Sequence, residues 1–204
     1  MEKRFTRNDH QNITTQIKIW VLDICGKIGF YPKKTRFRSS TRYAKETFGG
    51  KQIVVAEIGT DRGENALNIL KNLNVKKIYL IDPYMEYKDY KDSEPHRTKK
   101  VLGSAYRNAF NRLKKHKDKI IWIREFSEKA VDNIPECDFI YIDGNHEYSY
   151  VKKDINLYFK KVKKGGLLAG HDMELKGVFK AFSEFVIKNR LNGWVEYPDW
   201  IIQK

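Results

Sequence analysis

From residue 51 onward, short apolar runs alternate with stretches of helical period. Ile53-Val-Val-Ala-Glu-Ile58 is a strand-length run; a glycine-bounded turn follows, then a helix with Ala66, Leu67, Leu70 and Leu73 on one face. Lys77-Ile-Tyr-Leu-Ile81 reads as a second strand ending at Asp82-Pro83. After a polar loop, a basic helix is expected from about Lys99 to Lys115, its apolar side made by Ala105, Tyr106, Ala109, Phe110 and Leu113. Ile120-Ile-Trp-Ile123 and Phe139-Ile-Tyr-Ile142 are the third and fourth strands. Val151, Ile155, Tyr158, Phe159 and Val162 then recur with a 3.6-residue period, and Lys164-Gly165-Gly166 reads as the end of that helix. Leu167-Leu-Ala-Gly170 is the fifth strand, a helix runs through Val178, Phe182, Phe185 and Val186, and short strands at Trp194–Tyr197 and Trp200–Ile202 flank a Pro198-Asp199 turn.

Strands alternating with helices imply βαβ units, and strands apolar throughout suit a mostly parallel sheet covered on both faces. Residues 1–50 lack this regularity. Ile17, Trp20, Val21 and Ile24 keep helical spacing, and Lys33, Lys34, Arg36, Arg38 and Arg42 follow with no acid between them. The expected organisation is a basic segment over 1–50, either a cap over a site or a flexible arm, and an α/β domain over 51–204.

Composition narrows the setting. A chain of 204 residues with 41% hydrophobic and 13% aromatic residues can bury one core. Lys and Arg exceed Asp and Glu by 40 − 26 = +14, a balance that attracts anions or simply solvates the surface. Cys25 and Cys137 match no zinc or redox spacing, which points to a reducing compartment. Ile17 to Phe30 is interrupted by Lys18, Asp23 and Lys27 and is too short to span a bilayer, so a cytoplasmic protein without a membrane partner is expected. The sequence leaves open whether it forms a homo-oligomer.

In such sheets ligands bind beyond the carboxyl ends of the strands, where the polar clusters fall. Glu57-Ile-Gly59-Thr60-Asp61-Arg-Gly63 is a strand-to-helix turn; Asp61 stands where a dinucleotide fingerprint would need glycine. The turn could be no more than tight βα geometry. Asp82, ending the next strand, is where an acid in such folds binds ribose hydroxyls.

The acid-x-Gly-x-x-x-Gly spacing together with Asp82 resembles the cofactor site of class I S-adenosylmethionine-dependent methyltransferases, over roughly residues 50 to 204. The resemblance implies a Rossmann-like, seven-stranded, mostly parallel sheet with helices on both faces and an antiparallel last strand. It implies S-adenosylmethionine as cofactor. Gly59, Thr60, Asp61 and Gly63 would then pack on its sugar and methionine parts. Glu57 would sit near the amino group, Asp82 on the ribose, and Ser127 near the adenine.

Asp143-Gly-Asn-His146 ends the fourth strand and His171-Asp172 the fifth. Neighbouring strand ends lie about 5 Å apart, so two carboxylates and two imidazoles would converge if these strands pair. Two such acids favour a cation between them, or an imidazole serving as general base. The plainer reading is a turn at Asp143-Gly144, with His146 capping the next helix. The stretch through Asp143-Gly-Asn-His-Glu-Tyr148, Lys164-Gly-Gly and Gly170-His-Asp172 is similar to small O-methyltransferase-like domains, including sugar O-methyltransferases and cephalosporin-hydroxylase-type proteins. That similarity implies a divalent metal such as Mg²⁺ at Asp143 and Asp172, with His171 standing in a ligand position where some relatives carry an acid or another ligand. It also puts Asp143 beside the cofactor. His146 has no counterpart in that metal-binding pattern; its near-neutral imidazole makes it the candidate base or auxiliary ligand, with Asp143 and His171 in the same catalytic group.

The expected activity is methyl transfer to a hydroxyl of a sugar or other small polar acceptor. The Asn/Asp-Pro-Pro-aromatic motif of amino-methylating enzymes is absent after the fourth strand, and Cys137 lies at the wrong end of the sheet for cytosine carbon-5 chemistry. Two rivals remain. One is a methyltransferase of RNA or another polyanion, because residues 97–119 carry nine Lys/Arg against Asp118. The other is a divergent, non-catalytic relative.

Overall fold

The computed structural model describes residues 38–87 and 98–204, together with the backbone of Lys3–Phe5. The Ile17–Ile24 helix, Cys25, Lys33, Lys34 and Arg36 of the sequence reading lie outside the described residues. One sheet organises the chain. Its strands are β1 (Lys3–Phe5), β2 (Ile53–Ile58), β3 (Val75–Ile81), β4 (Ile120–Ile123), β5 (Cys137–Ile142), β6 (Val162–Gly170), β7 (Gly193–Glu196) and β8 (Asp199–Gln203). The order across the sheet is β1-β7-β8-β6-β5-β2-β3-β4. Strands β2 to β6 pair in parallel, and β8 is antiparallel to both β6 and β7. The seven expected strands and the antiparallel last strand are all there; β1 adds a three-residue edge against β7.

The helices are α1 (Ser39–Phe48), α2 (Glu64–Asn72), α3 (Lys99–Leu113), α4 (Ser127–Ala130), α5 (Tyr148–Lys161) and α6 (Lys176–Asn189). Alternation along the strands feeds two apolar layers. Ala56, Ile58, Ile140, Ile142 and Leu168 face Val151, Ile155 and Tyr158 of α5 and Val178, Phe182 and Val186 of α6. Ile53, Val55, Ile78, Leu80 and Phe139 face Ala66, Ile69 and Leu70 of α2, with Ala44 of α1 and Leu113 of α3. A strand flanked by helices on both faces must be apolar at every position, which is why these strands read as continuous runs.

Two features depart from the periodic reading. Lys164-Gly165-Gly166 does not end a helix: α5 stops at Lys161, and these residues are already in β6, where Gly165 donates to the carbonyl of Lys204 and Lys204 donates to that of Gly166. That half of the strand exposes Lys164 and Gly165 and carries no apolar run. Helix α1 is equally silent, because Ser39, Ser40 and Thr41 occupy its buried positions and Ala44 is its only buried apolar residue.

Candidate active site

The carboxyl ends of β2, β3, β5 and β6 meet at one edge of the sheet. At the end of β2 the chain turns at Gly59 with φ +85°, and a Cβ there would lie 1.9 Å from the carbonyl oxygen of Asp143. The glycine is therefore demanded first by the chain itself, which brings the β2 turn onto the β5 turn with no space between. Asp61 (φ 44°) and Gly63 (φ 73°) complete the loop, and Gly63 opens α2 in the left-handed conformation. Asp82 fixes the loop's shape. Its Oδ2 accepts from the backbone N–H of Thr60 at 3.1 Å and of Asp61 at 2.9 Å, and its Oδ1 accepts from that of Tyr84 at 2.8 Å. Tyr84 closes the circuit by donating its hydroxyl to the carbonyl of Asp61 at 2.9 Å.

Glu57 points into this loop from β2 and is buried. One oxygen accepts from Asn65 Nδ2 at 2.8 Å, while the other has no hydrogen-bond partner among the described residues. Burial, assisted by the charges of Asp143 and Asp82 and opposed by Asn65, pushes its pKa up to about 8. The Thr60 hydroxyl is also buried and unpartnered among the described residues. A loop edged by Glu57, Asp61, Asp82 and Asp143, with one carboxyl oxygen unbonded, fits a ligand that brings positive charge and N–H donors. A molecule carrying both a sulfonium and an ammonium has that character. Ser127, at the start of α4, gives its hydroxyl to Asp154 at 2.5 Å, and its carbonyl accepts from Tyr158.

The acid and imidazole groups do converge. His146 Nε2 lies 2.9 Å from Asp172 Oδ2 and 3.9 Å from Asp143 Oδ1. His171 Nδ1 lies 2.7 Å from Asp172 Oδ1 and 4.0 Å from Asp143 Oδ1. Burial opposes charge on both imidazoles, but the two carboxylates outweigh it and push His146 up to about 10 and His171 in the same direction. For Asp172, burial works against ionisation, and the paired histidines hold it well below the usual carboxylate range. Asp172 keeps its place with φ +57°, an unfavourable backbone for a non-glycine residue and one that tends to mark functional turns. His146 does not cap α5: the cap residue is Glu147, whose N–H donates to Asn145 Oδ1 at 2.9 Å.

Asp143, His146 and Asp172 each offer a ligand atom, and those atoms lie within 4.8 Å of one another. Two carboxylates and an imidazole at that spacing suit a divalent ion with oxygen and nitrogen ligands. His146 thus joins the ligand set read from the sequence, and His171 stands beside it, bonded to Asp172.

Other contributors carry no motif. Arg38 donates to Asp143 Oδ2 at 3.1 Å and to the Tyr141 hydroxyl, and lies over the Tyr141 ring. Tyr141 donates to Asp199 Oδ1 at 2.9 Å, and Asp199 Oδ2 accepts from Ser40 Oγ at 2.6 Å and Ser40 N at 2.9 Å. This buried chain of contacts ties α1, β5 and β8 to Asp143. Only Arg38 was foreshadowed, as part of the basic run. Next to the cluster a cavity of about 440 Å³ is lined by His146, Glu147, Tyr148, Lys176 and Lys180, among others. Among the described residues, no helix is long and apolar enough to cross a membrane.

Comparison with known proteins gives the family and the fold. The family profile described as a methyltransferase domain matches residues 56–173, from β2 through the Asp172 turn. An uncharacterised protein of Acanthamoeba polyphaga mimivirus is 28% identical over 136 residues, 63% of this chain and 55% of that protein, so the chain aligns with only about half of its relative's length. Among solved structures, the O-methyltransferase NovP superposes with a TM-score of 0.58 at 12% identity, covering 92% of this chain and 79% of that one. An rRNA methylase from Streptococcus thermophilus gives 0.55 at 17% identity, covering 85% and 97%. A precorrin-8W decarboxylase from Methanobacterium thermoautotrophicum gives 0.57 at 17% identity, covering 85% and 92%. These likenesses establish a fold that serves unrelated acceptors. With the family profile spanning more than half of the chain, the protein belongs to the class I S-adenosylmethionine-dependent methyltransferases.

Proposed function

We propose that the protein is an S-adenosylmethionine-dependent O-methyltransferase acting on a hydroxyl of a sugar or other small polar molecule, with a divalent ion assisting. The observation that carries the proposal is the position of Asp143. Its backbone carbonyl abuts Gly59 of the cofactor loop, and its carboxylate faces His146 and Asp172. Cofactor site and acid–imidazole cluster therefore share one residue, as group transfer between neighbouring ligands requires.

In this reading Glu57 receives the cofactor's ammonium on its unbonded oxygen. Asp82 holds the Thr60–Asp61 segment in shape and borders the ribose, and Ser127 borders the adenine. The cofactor supplies a methyl group already activated on sulfur, so the chain's work is orientation and removal of the acceptor's proton. Asp143, His146 and Asp172 would hold the ion, whose contribution is to lower the pKa of a bound hydroxyl. Its charge would take over from the imidazolium groups that balance Asp143 and Asp172 in its absence. His171, fixed through Nδ1 by Asp172, stands by as a proton carrier. The adjoining cavity, at about 440 Å³ with Glu147, Tyr148, Leu175, Lys176 and Lys180 on its wall, has room for a small acceptor and charged groups to orient it. In a division into a cap over 1–50 and a catalytic domain over 51–204, Arg38 and α1 form the part of the cap that packs directly on the catalytic domain, reaching Asp143 and Asp199.

Titration calorimetry with S-adenosylhomocysteine, followed by transfer of labelled methyl to a panel of sugars and phenols with and without Mg²⁺, tests the proposal. Micromolar cofactor binding and ion-stimulated transfer are expected. An absence of binding at millimolar ligand would refute it.

A further inference from the structure

We propose that the flank of α3 beside the sheet edge at β4 binds single-stranded nucleic acid. Residues 98–124 contain nine Lys/Arg and one acid, a net of 9 − 1 = +8 within a chain whose whole net charge is +14. On α3 the buried stripe is Leu102, Ala105, Ala109 and Leu113. A second stripe runs Lys99, Gly103, Tyr106, Phe110 and Lys114, at spacings of four, three, four and four, with Lys100 and Arg107 alongside.

Charge alone would describe a solvated helix. The aromatic groups set this flank apart. Phe110 is 53% exposed, although it lies 6.4 Å from Trp122 of the edge strand β4. Tyr106 packs edge-on against Trp122 at 5.5 Å, and the Arg124 guanidinium lies 4.6 Å from the Tyr106 ring centroid. Gly103 leaves the stripe open between Lys99 and Tyr106. Arg112, on another flank, is engaged by Glu64 and by the carbonyl of Arg62. Lys99, Lys100, Arg107 and Lys114 are exposed, and no acid among the described residues lies within ion-pair distance of them. An exposed aromatic face inside a ring of cations is the arrangement that stacks unpaired bases while holding their phosphates. A duplex could use the charges but not the ring.

The surface also touches the cofactor loop, because Tyr106 packs on Tyr84 at 5.0 Å and Tyr84 bonds Asp61. The inference does not depend on the proposed acceptor, since it concerns binding alone.

Fluorescence anisotropy with a labelled 12-nucleotide RNA of mixed sequence, its DNA equivalent and the matching duplex tests it without cofactor. Four phosphate contacts predict a log–log salt slope of about −3, a loss of roughly 50-fold between 50 and 200 mM salt. Phe110→Ala should weaken single-strand binding by about tenfold and leave duplex binding unchanged. Lys100→Glu with Arg107→Glu and Lys114→Glu should abolish binding, while the same reversal at Lys129, Lys164 and Lys188 should change it by less than about threefold. All these side chains are exposed, and thermal melts confirm that each variant folds. The proposal is overturned by an unaltered affinity in Phe110→Ala, by equal losses in the two triple variants, or by vesicles with 30% phosphatidylserine competing the RNA away.

Discussion

Glu57→Gln separates the electrostatics of the cofactor site from its packing. In the folded protein Glu57 is 1% exposed and bonded through one oxygen only, and its pKa moves from 4.5 to about 8. The sign follows from linkage. Above pH 4.5 the unfolded chain releases this proton while the folded chain retains it until about pH 8. Glu57's contribution to stability is therefore complete below pH 4.5 and lost as pH rises toward 8. The difference between 4.5 and 8, at about 1.36 kcal/mol per pH unit, is about 5 kcal/mol, most of which falls between pH 5 and pH 8. Glutamine keeps an oxygen for Asn65 and carries no proton to lose. At about 2–4 °C per kcal/mol for a chain of this size, Glu57→Gln should melt up to about 10 °C above the wild type at pH 8 and level with it at pH 5. The same variant should bind S-adenosylhomocysteine about tenfold more weakly, because the ligand's ammonium meets an amide in place of a carboxylate. Wild-type binding should also release the Glu57 proton, so its enthalpy should track the ionisation heat of the buffer, and that of the variant should not. Parallel melting curves for the two proteins from pH 5 to 8 would refute the reasoning.

Gly59→Ala places a Cβ 1.9 Å from the Asp143 carbonyl at φ +85°, so it should cost about 3 kcal/mol or more and show little folded protein by circular dichroism at 37 °C. Asp172→Asn removes one carboxylate from the Asp143–His146–Asp172 set and should weaken Mn²⁺ binding, followed by electron paramagnetic resonance, by at least about tenfold. Asp138, held below its usual pKa by Lys163 and the Val54 N–H against the opposing effect of burial, stabilises the fold at neutral pH and loses that effect as pH falls through its depressed value. Asp138→Asn should therefore cost about 1–2 kcal/mol at pH 7 in urea titrations, and the cost should shrink as pH falls below the ordinary carboxylate range.

The sequence reading succeeded where burial imposes a period. Strands β2 and β5 and the second half of β6 are covered on both faces and read as apolar, and α2, α3, α5 and α6 each keep one face on the sheet. It failed where polar groups do the packing. Helix α1 is anchored by serines that hydrogen-bond Asp199, more than 150 residues away, and no local pattern announces such a partner. The first half of β6 carries Lys163, Lys164, Gly165 and Gly166, and those glycines mimic a helix stop. In the site, residues at strand ends were visible because they interrupt apolar runs. Arg38 shows in the sequence only as one of a basic run, and Tyr141 and Asp199 not at all as site residues, since each takes its meaning from a contact between segments far apart in sequence.

Glu57 and Asp138 show where sequence reasoning ends. Both are acids in apolar strands of the same sheet, and both are buried. Asp138 lies near the amino end of β5, where Lys163, Lys51 and the Val54 N–H satisfy its two oxygens and keep it ionised. Glu57 lies near the carboxyl end of β2, with one oxygen bonded, one unbonded, and its pKa pushed upward. An acid whose partners come from the chain stabilises the fold. An acid left one partner short, at the end of the sheet where ligands bind, costs stability unless something else completes it. The sequence places either residue in a strand, but only the partners distinguish the structural acid from the one suited to a cationic cofactor.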